Sequence, residues 1–202
     1  MKEITALSVN HRIALRIRDL RAARGLSLDA LAVHSGVSRS MISLIERGES
    51  SPTAVLLEKL AASLKVSMAS IFEVPQIAAQ PVSRFADQTL WRDPHSGYVR
   101  RNVSPGGAVS PIQIVEVSFP AQARVAYETG VREPLIHQQI WVLAGCMEIS
   151  VGDEVHRLDR GDCLAHALGC PVTYHNPTHA EARYAVVIAS LNATLNISAS
   201  RR

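Results

Sequence analysis

Residues 27–48, SLDALAVHSGVSRSMISLIERG, decide the fold of the N-terminal part of the chain, because they predict two short helices joined by a tight turn. Ser27 and Ser38 are favourable N-caps for these helices. Gly36 stands where the first helix must end and the chain must reverse, a position that suits a left-handed glycine. Apolar residues recur at helical spacing and define the inner faces: Leu28, Leu31 and Ala32, then Met41, Ile42 and Ile45.

The outer face of the second helix is polar and basic, and it carries Arg39, Ser40, Ser43, Leu44 and Arg47, with Glu46 as its only acid. A helix of this kind can lie in the major groove of DNA, where its N-terminal residues reach the base edges. The alternative is an ordinary pair of antiparallel helices in a small bundle, because the turn signal alone is generic.

Residues 11–72 resemble the DNA-binding domain of the XRE (Cro-type) family of bacterial and phage repressors. The resemblance rests on IRxLRxxRGLS (17–27), LA (31–32), SGVSRS (35–40), ISLIERG (42–48) and SPTxxLLxKLA (51–61). It implies a five-helix domain that binds operator DNA as a dimer. The sequence departs from the family at Leu28, where many members have a glutamine that contacts a phosphate.

We expect seven residues to contact operator DNA: Ser27, Ser38, Arg39, Ser40, Ser43, Leu44 and Arg47. Arg39 and Ser40 are predicted to read bases, with help from Ser43 and Leu44, because they occupy the start and middle of the outer face. Arg47 is assigned to the phosphate backbone, since it lies at the far end of the helix.

Charge supports this assignment, because the net charge of +3 lies entirely in residues 1–75, where ten basic residues face seven acidic ones. The remaining residues hold eleven of each sign. No apolar run is long enough to span a bilayer, and the first residues lack the apolar core of a signal peptide. We therefore expect a cytoplasmic protein with no membrane partner. The three cysteines do not predict a disulfide framework, because their number is odd.

The overall expectation is a multidomain α+β chain, in which an all-α five-helix helix-turn-helix domain at 8–74 precedes an all-β cupin barrel at 84–192. Residues 75–83 read as a linker, and residues 193–202 read as a tail. In the first domain, helix one is predicted from His11 to Arg24. Helix four is predicted to start at Ser51 and Pro52, with proline at the first helical position.

Short β-rich runs follow the linker, with turn residues between them, and predict an antiparallel sandwich or barrel. Residues 133–190 resemble the cupin family. The matching residues are IWVLAG (140–145), CMEISVGDE (146–154), RLDRGD (157–162), Gly169 and HNP (175–177). XRE-type regulators with a C-terminal cupin sensor are a known domain arrangement, and this chain looks like one.

Many cupins hold a metal with three histidines and a glutamate, but this sequence lacks those ligands at the family positions. The glutamate position falls on Gln138, and the histidine positions fall near Arg132 and Pro134 and on Val172. Proline and valine cannot ligate, and a neutral amide is a poor replacement for a carboxylate. We therefore expect neither a metal nor another cofactor in the barrel.

Inward-facing residues of the barrel instead predict a small-ligand pocket, with a few polar groups among apolar ones. Its expected members are Arg132, Gln138, Ile140, Val142, His166, Val172 and Tyr174. The preferred interpretation is a homodimeric transcriptional regulator, a repressor by resemblance, that senses a small polar or anionic metabolite and is not an enzyme. Two alternatives remain: a metal-free isomerase that uses His166 and Tyr174 as acid and base, and an antitoxin-like interaction protein.

Overall fold

A computed structural model of the chain describes residues 8–72, 81–106, 110–128 and 136–190. Most of the predicted linker, the predicted tail and the candidate ligand contact Arg132 lie outside the described residues. The domain boundaries therefore remain predictions.

Five α-helices form the N-terminal domain in the described part of the chain, as the sequence predicts. They are α1 (Val9–Ala23), α2 (Leu28–Ser35), α3 (Arg39–Glu46), α4 (Ala54–Ser63) and α5 (Met68–Ile71). Ser27 and Ser38 cap α2 and α3, and Gly36 ends α2 with a φ of 65°. The predicted start of α4 is wrong by two residues, because Thr53 rather than Ser51 caps it and leaves Pro52 outside the helix.

The helices share one apolar core, whose fully buried members come from all of the longer helices: Ile13, Ile17, Leu31, Ile42, Ile45, Leu57 and Leu60. An ion pair closes this core at one edge. Arg21 on α1 donates to both carboxylate oxygens of Glu46 on α3, each at 2.7 Å, and also to the Leu26 carbonyl. Glu46, the one acidic residue of α3 itself, is thereby turned toward α1.

In the ranges that the structure describes, ten strands form two antiparallel sheets. Their bounds are β1 (Leu90–Arg92), β2 (Val99–Asn102), β3 (Ile112–Phe119), β4 (Arg124–Tyr127), β5 (Ile136–Ala144), β6 (Cys146–Val151), β7 (Glu154–Asp159), β8 (Cys163–Ala167), β9 (Val172–His175) and β10 (Ala182–Ser190). One sheet has the order β1-β2-β3-β10-β5-β8, and the other has the order β4-β9-β6-β7. Along the strands, residues that face inward alternate with residues that face solvent. The inward residues of both sheets form the core of the barrel.

The glycine at the β5–β6 junction explains how the two sheets meet there. Gly145 has a φ of 76°, and a Cβ at this position would lie 3.0 Å from the Ala182 Cα and 3.2 Å from the Glu181 carbonyl oxygen. Only glycine combines this backbone conformation with such a close approach. The chain can therefore pass directly from one sheet to the other.

The barrel contacts the helical domain through α4 and α5. Asp93, which follows β1 and is 2% exposed, accepts a hydrogen bond from the Ala54 backbone N–H at 2.9 Å. The Ser67 hydroxyl, which caps α5, donates to Gln113 of β3 at 2.8 Å. The barrel thus supplies hydrogen-bond partners to the N-terminal ends of both helices, where backbone and capping groups need them.

We expect Asp93→Ala to destabilise the protein by about 1–3 kcal/mol, because the buried Ala54 N–H would lose its acceptor. The same change removes the two hydrogen bonds that Asp93 accepts from Ser96 in the β1–β2 loop. The measurement is chemical denaturation followed by circular dichroism. Asp19→Ala, at an exposed position on α1, is the matched control. Equal stability of the two variants would contradict the assigned role of Asp93.

Candidate functional site

The outer face of α3 carries the residues that the sequence assigned to DNA contact. Arg39, Ser40 and Arg47 are exposed, and Ser43 and Leu44 are partly exposed, whereas Ile42 and Ile45 are buried in the core. Ser38 and Ser40 lie side by side at the N-terminal end of the helix, with their hydroxyl oxygens 3.1 Å apart. The predicted contact residues of α3 are therefore accessible to solvent, and whether they bind DNA remains a prediction.

Both arginines of this surface have acidic partners in the absence of DNA. Arg39 Nε lies 3.1 Å from Asp29 Oδ1 on α2, and both side chains are largely exposed. Arg47 donates to both oxygens of Glu49, at 2.8 and 2.7 Å, and to the Ser43 hydroxyl. Neither pair was predicted from the sequence, although Glu49 stands two residues after Arg47.

Ser27 and Ser38 have structural roles in addition to their predicted DNA contacts. Their hydroxyl oxygens accept hydrogen bonds from the Ala30 and Met41 backbone N–H groups. Each hydroxyl can still donate its own proton, for example to a phosphate oxygen. Leu28, at the family's glutamine position, packs partly buried against the domain core instead.

A cavity of about 60 Å³ lies between the helical domain and the barrel. Its helical side is lined by Glu58 on α4, Ser67 and Met68. On the barrel side, the polar lining residues are Tyr98, Arg100, Tyr127, Gln138, Tyr174 and Tyr184. The apolar lining residues are Val117, Leu168, Val172, Val186 and Ile188. An occupant of this cavity would contact both domains.

Three of the seven predicted ligand contacts line this cavity, namely Gln138, Val172 and Tyr174. Ile140 and Val142 are fully buried in the barrel core and do not line it, and neither does His166. The predicted strand parity is confirmed, because Gln138, Ile140 and Val142 face inward while His137 is exposed. Whether any of these residues binds a ligand remains a prediction.

Arg100 and three of the four tyrosines at the cavity were missed by the sequence analysis. Trp91 and Arg100 are directly opposed on β1 and β2, and both are buried. The β2 strand is short and contains two adjacent arginines, so its sequence predicts a strand only weakly. The alternation of Tyr98 and Arg100 about Val99 was the available clue to a shared inward face.

Burial controls the protonation of the groups that line the cavity. It raises the pKa of Tyr98 to about 12 and raises the pKa values of Tyr127, Tyr174 and Tyr184 well above the usual range. These phenols are therefore protonated hydrogen-bond donors at neutral pH. Burial also lowers the pKa of Arg100, but a guanidinium keeps its charge in proteins.

His166 lies on β8 opposite Gln138, and its Nδ1 is 3.3 Å from the Ala167 carbonyl oxygen. Its Nε2 is buried without a hydrogen-bond partner among the described residues. Burial lowers the pKa of His166, so the ring is neutral at pH 7.

Among the residues that the structure describes, no group of three or more His, Cys, Asp or Glu side chains could hold a metal ion. No helix in that part of the chain could cross a bilayer.

Comparisons with known proteins agree with this architecture. Residues 17–71 match the helix-turn-helix family HTH_3. The HTH-type transcriptional regulator SutR of Escherichia coli (strain K12) is 29% identical over 164 residues, which cover 81% of this chain and 86% of SutR. The regulator SlrR of Bacillus subtilis (strain 168) is 36% identical over 77 residues, or 38% of this chain and 49% of SlrR.

A solved structure extends the similarity to both domains. The crystal structure of an HTH_3 family transcriptional regulator from Vibrio cholerae superposes with a TM-score of 0.73 at 28% sequence identity. The superposition covers 91% of this chain and 98% of the other. The chain is therefore a transcriptional regulator of the helix-turn-helix type, in which an XRE-type DNA-binding domain precedes an antiparallel β-rich domain.

Proposed function

We propose that this regulator binds a specific operator as a homodimer, and that its affinity for the operator responds to a small polar or anionic metabolite bound in the barrel domain. The observation that carries the proposal is the cavity shared by α4, α5 and the barrel. A ligand alters DNA binding only if it interacts differently with two arrangements of the protein. A ligand in this cavity meets that condition when the helical domain shifts against the barrel.

The outer face of α3 supports sequence-specific binding. Arg39 lies in the first turn, and its guanidinium is largely exposed and long enough to reach a base edge. Bidentate contact of arginine with guanine is the commonest specific contact in the major groove. Arg47 lies at the opposite end of α3, where a helix in the groove meets the phosphate backbone.

Homodimerisation is proposed because helix-turn-helix domains commonly read DNA as pairs. Each domain places one recognition helix in the groove, and two half-sites lie about one helical turn apart. A ligand that tilts each helical domain on its barrel would change the spacing of the two α3 helices. The barrels would hold the two chains together while the helical domains move.

The chemistry of the barrel favours sensing over catalysis. Tyr174 donates to Gln138 at 3.4 Å, and burial raises its pKa above the usual value, so the phenol is a weaker acid than usual and is not ionised to act as a base at neutral pH. His166 does not line the cavity that Tyr174 lines. The two residues of the isomerase alternative are thus not directed at one common space.

Arg39→Ala is expected to reduce affinity for an operator selected from random DNA by about ten- to hundredfold, because a bidentate base contact contributes about 1–3 kcal/mol. Affinity for unrelated DNA should fall much less. Fluorescence anisotropy with both duplexes measures the difference. Arg160→Ala, at an exposed turn of the barrel, is the control. Equal losses on both duplexes would identify Arg39 as a phosphate contact.

Arg47→Ala is expected to lower the slope of log affinity against log salt concentration by about one unit, since it would remove one phosphate contact. The preferred operator sequence should stay the same. Titrations over a series of salt concentrations, together with repeated selection from random DNA, provide the two measurements. A changed consensus sequence would assign Arg47 to base recognition instead.

A metabolite that binds the protein is expected to shift operator affinity by a coupling free energy of about 1–3 kcal/mol. Thermal-shift screening of metabolite pools identifies binders, because a ligand specific for the folded state raises its apparent stability. Calorimetric titration of each binder, with and without operator, then gives the coupling. A barrel ligand that leaves operator affinity unchanged would refute the sensing proposal.

A further inference from the structure

Arg100 is a buried arginine with incomplete hydrogen bonding at the cavity between the two domains. It is 7% exposed and is one of the residues that line the cavity. Its Nε donates to Asn102 Oδ1 at a long 3.4 Å, and its guanidinium carbon lies 5.1 Å from the centre of the Phe72 ring. Its Nη2 is buried with no hydrogen-bond partner among the described residues.

A buried guanidinium with an unpaired N–H group is unfavourable unless another group compensates it. The Glu58 carboxylate lines the same cavity and attracts the guanidinium, but it does not provide an acceptor for Nη2. Planar oxyanions match the geometry of a guanidinium and compensate such groups well. The unpaired edge of Arg100 therefore points to a missing acceptor.

Further donors lie in the same cavity. The Tyr98 and Tyr127 hydroxyl oxygens are 3.2 Å apart, so one donates to the other and the second proton remains for another acceptor. Both phenols are protonated at neutral pH, because burial raises the pKa of each. An anion beside Arg100 would thus find an uncharged donor as well as a charged one.

The remaining wall is apolar and the cavity is small. It is lined by Val117, Leu168, Val172, Val186 and Ile188, and the centre of a water-sized sphere can move through about 60 Å³ of the cavity. Such a wall favours a hydrocarbon group and offers nothing to a fully hydrated ion such as phosphate. The site therefore combines an anion-binding end with a short apolar space.

We infer that this cavity binds a short-chain carboxylate, whose carboxylate group accepts hydrogen bonds from Arg100 and a tyrosine hydroxyl while its hydrocarbon part contacts the apolar wall. The chemical class follows from the cavity, and the regulatory consequence rests on the proposed function. Arg100 lies over Phe72, the residue that ends α5, so a carboxylate that moves the guanidinium changes a contact with the helical domain.

The experiment titrates the full-length protein with sodium butyrate, butyramide and inorganic phosphate by calorimetry, at ionic strength held constant with sodium chloride. Butyrate should bind saturably, whereas butyramide and phosphate should bind much more weakly. Arg100→Met should lower butyrate affinity by about ten- to hundredfold, because it removes a charge-assisted hydrogen bond. Tyr127→Phe, which keeps the ring, should lower it by a smaller factor.

Arg101→Met is the matched control, because Arg101 is the next residue on β2 and lies over Phe85 and near Glu116 instead of lining the cavity. It should bind butyrate like the wild type. Equal binding of butyrate by the wild type and by Arg100→Met would overturn the inference, and so would binding of phosphate in preference to butyrate. If Arg100→Met does not fold, unchanged butyrate affinity of Tyr127→Phe serves as the contradicting result.

Titration of operator in the presence of saturating butyrate separates this inference from the proposed function. Arg100-dependent butyrate binding with no change in operator affinity would support the carboxylate site and refute the sensing proposal. A response of operator affinity to an uncharged metabolite, unaffected by Arg100→Met, would support sensing and overturn the carboxylate site.

Discussion

The hydrogen bond from the Ala54 backbone to Asp93 joins the helical domain to the barrel. A backbone N–H at the start of a helix needs an acceptor, and here the barrel supplies it from the loop after β1. The negative charge also lies at the positive end of the α4 dipole, which favours it. The first backbone N–H of α4 thus has its acceptor in a residue almost forty positions later in the chain.

Aromatic packing extends this connection into the barrel. Phe72 at the end of α5 contacts Trp91, and successive ring pairs continue inward through Tyr98, Phe119, Tyr184, Tyr174 and Tyr127 at centroid distances between 5.5 and 6.1 Å. Offset and edge-on pairs of this kind add to the stability that burial provides. The cavity lies along this row of rings, so its shape depends on both domains.

The sequence predicted the helical domain well because its signals are local. Caps at Ser27 and Ser38, the turn at Gly36 and the apolar spacing of α3 each depend on a few neighbouring residues. Strand parity in β5 was equally predictable, since it needs only an alternating pattern. The start of α4 was placed too early because Pro52, Thr53 and Ser51 all suit a helix start.

The cavity could be predicted only in part, because it depends on contacts between distant segments. Gln138, Val172 and Tyr174 follow from the barrel pattern, but Glu58 and Ser67 reach the cavity only when the two domains pack together. Arg100 was missed for a related reason. An arginine in a short strand is ordinarily assigned to solvent, and the burial of Arg100 is visible only once Phe72 and Trp91 are placed around it.

The bidentate pair between Arg47 and Glu49 has a consequence for how the protein searches DNA. Glu49 presents two oxygens to the guanidinium in the geometry that a phosphate would use, so it is an intramolecular mimic of the DNA backbone. Under the proposed role of Arg47, its contact with a phosphate requires displacement of Glu49 on any DNA sequence. Glu49 would then weaken the phosphate contact of Arg47 on operator and unrelated DNA alike, and would leave discrimination between sequences to the opposite end of α3.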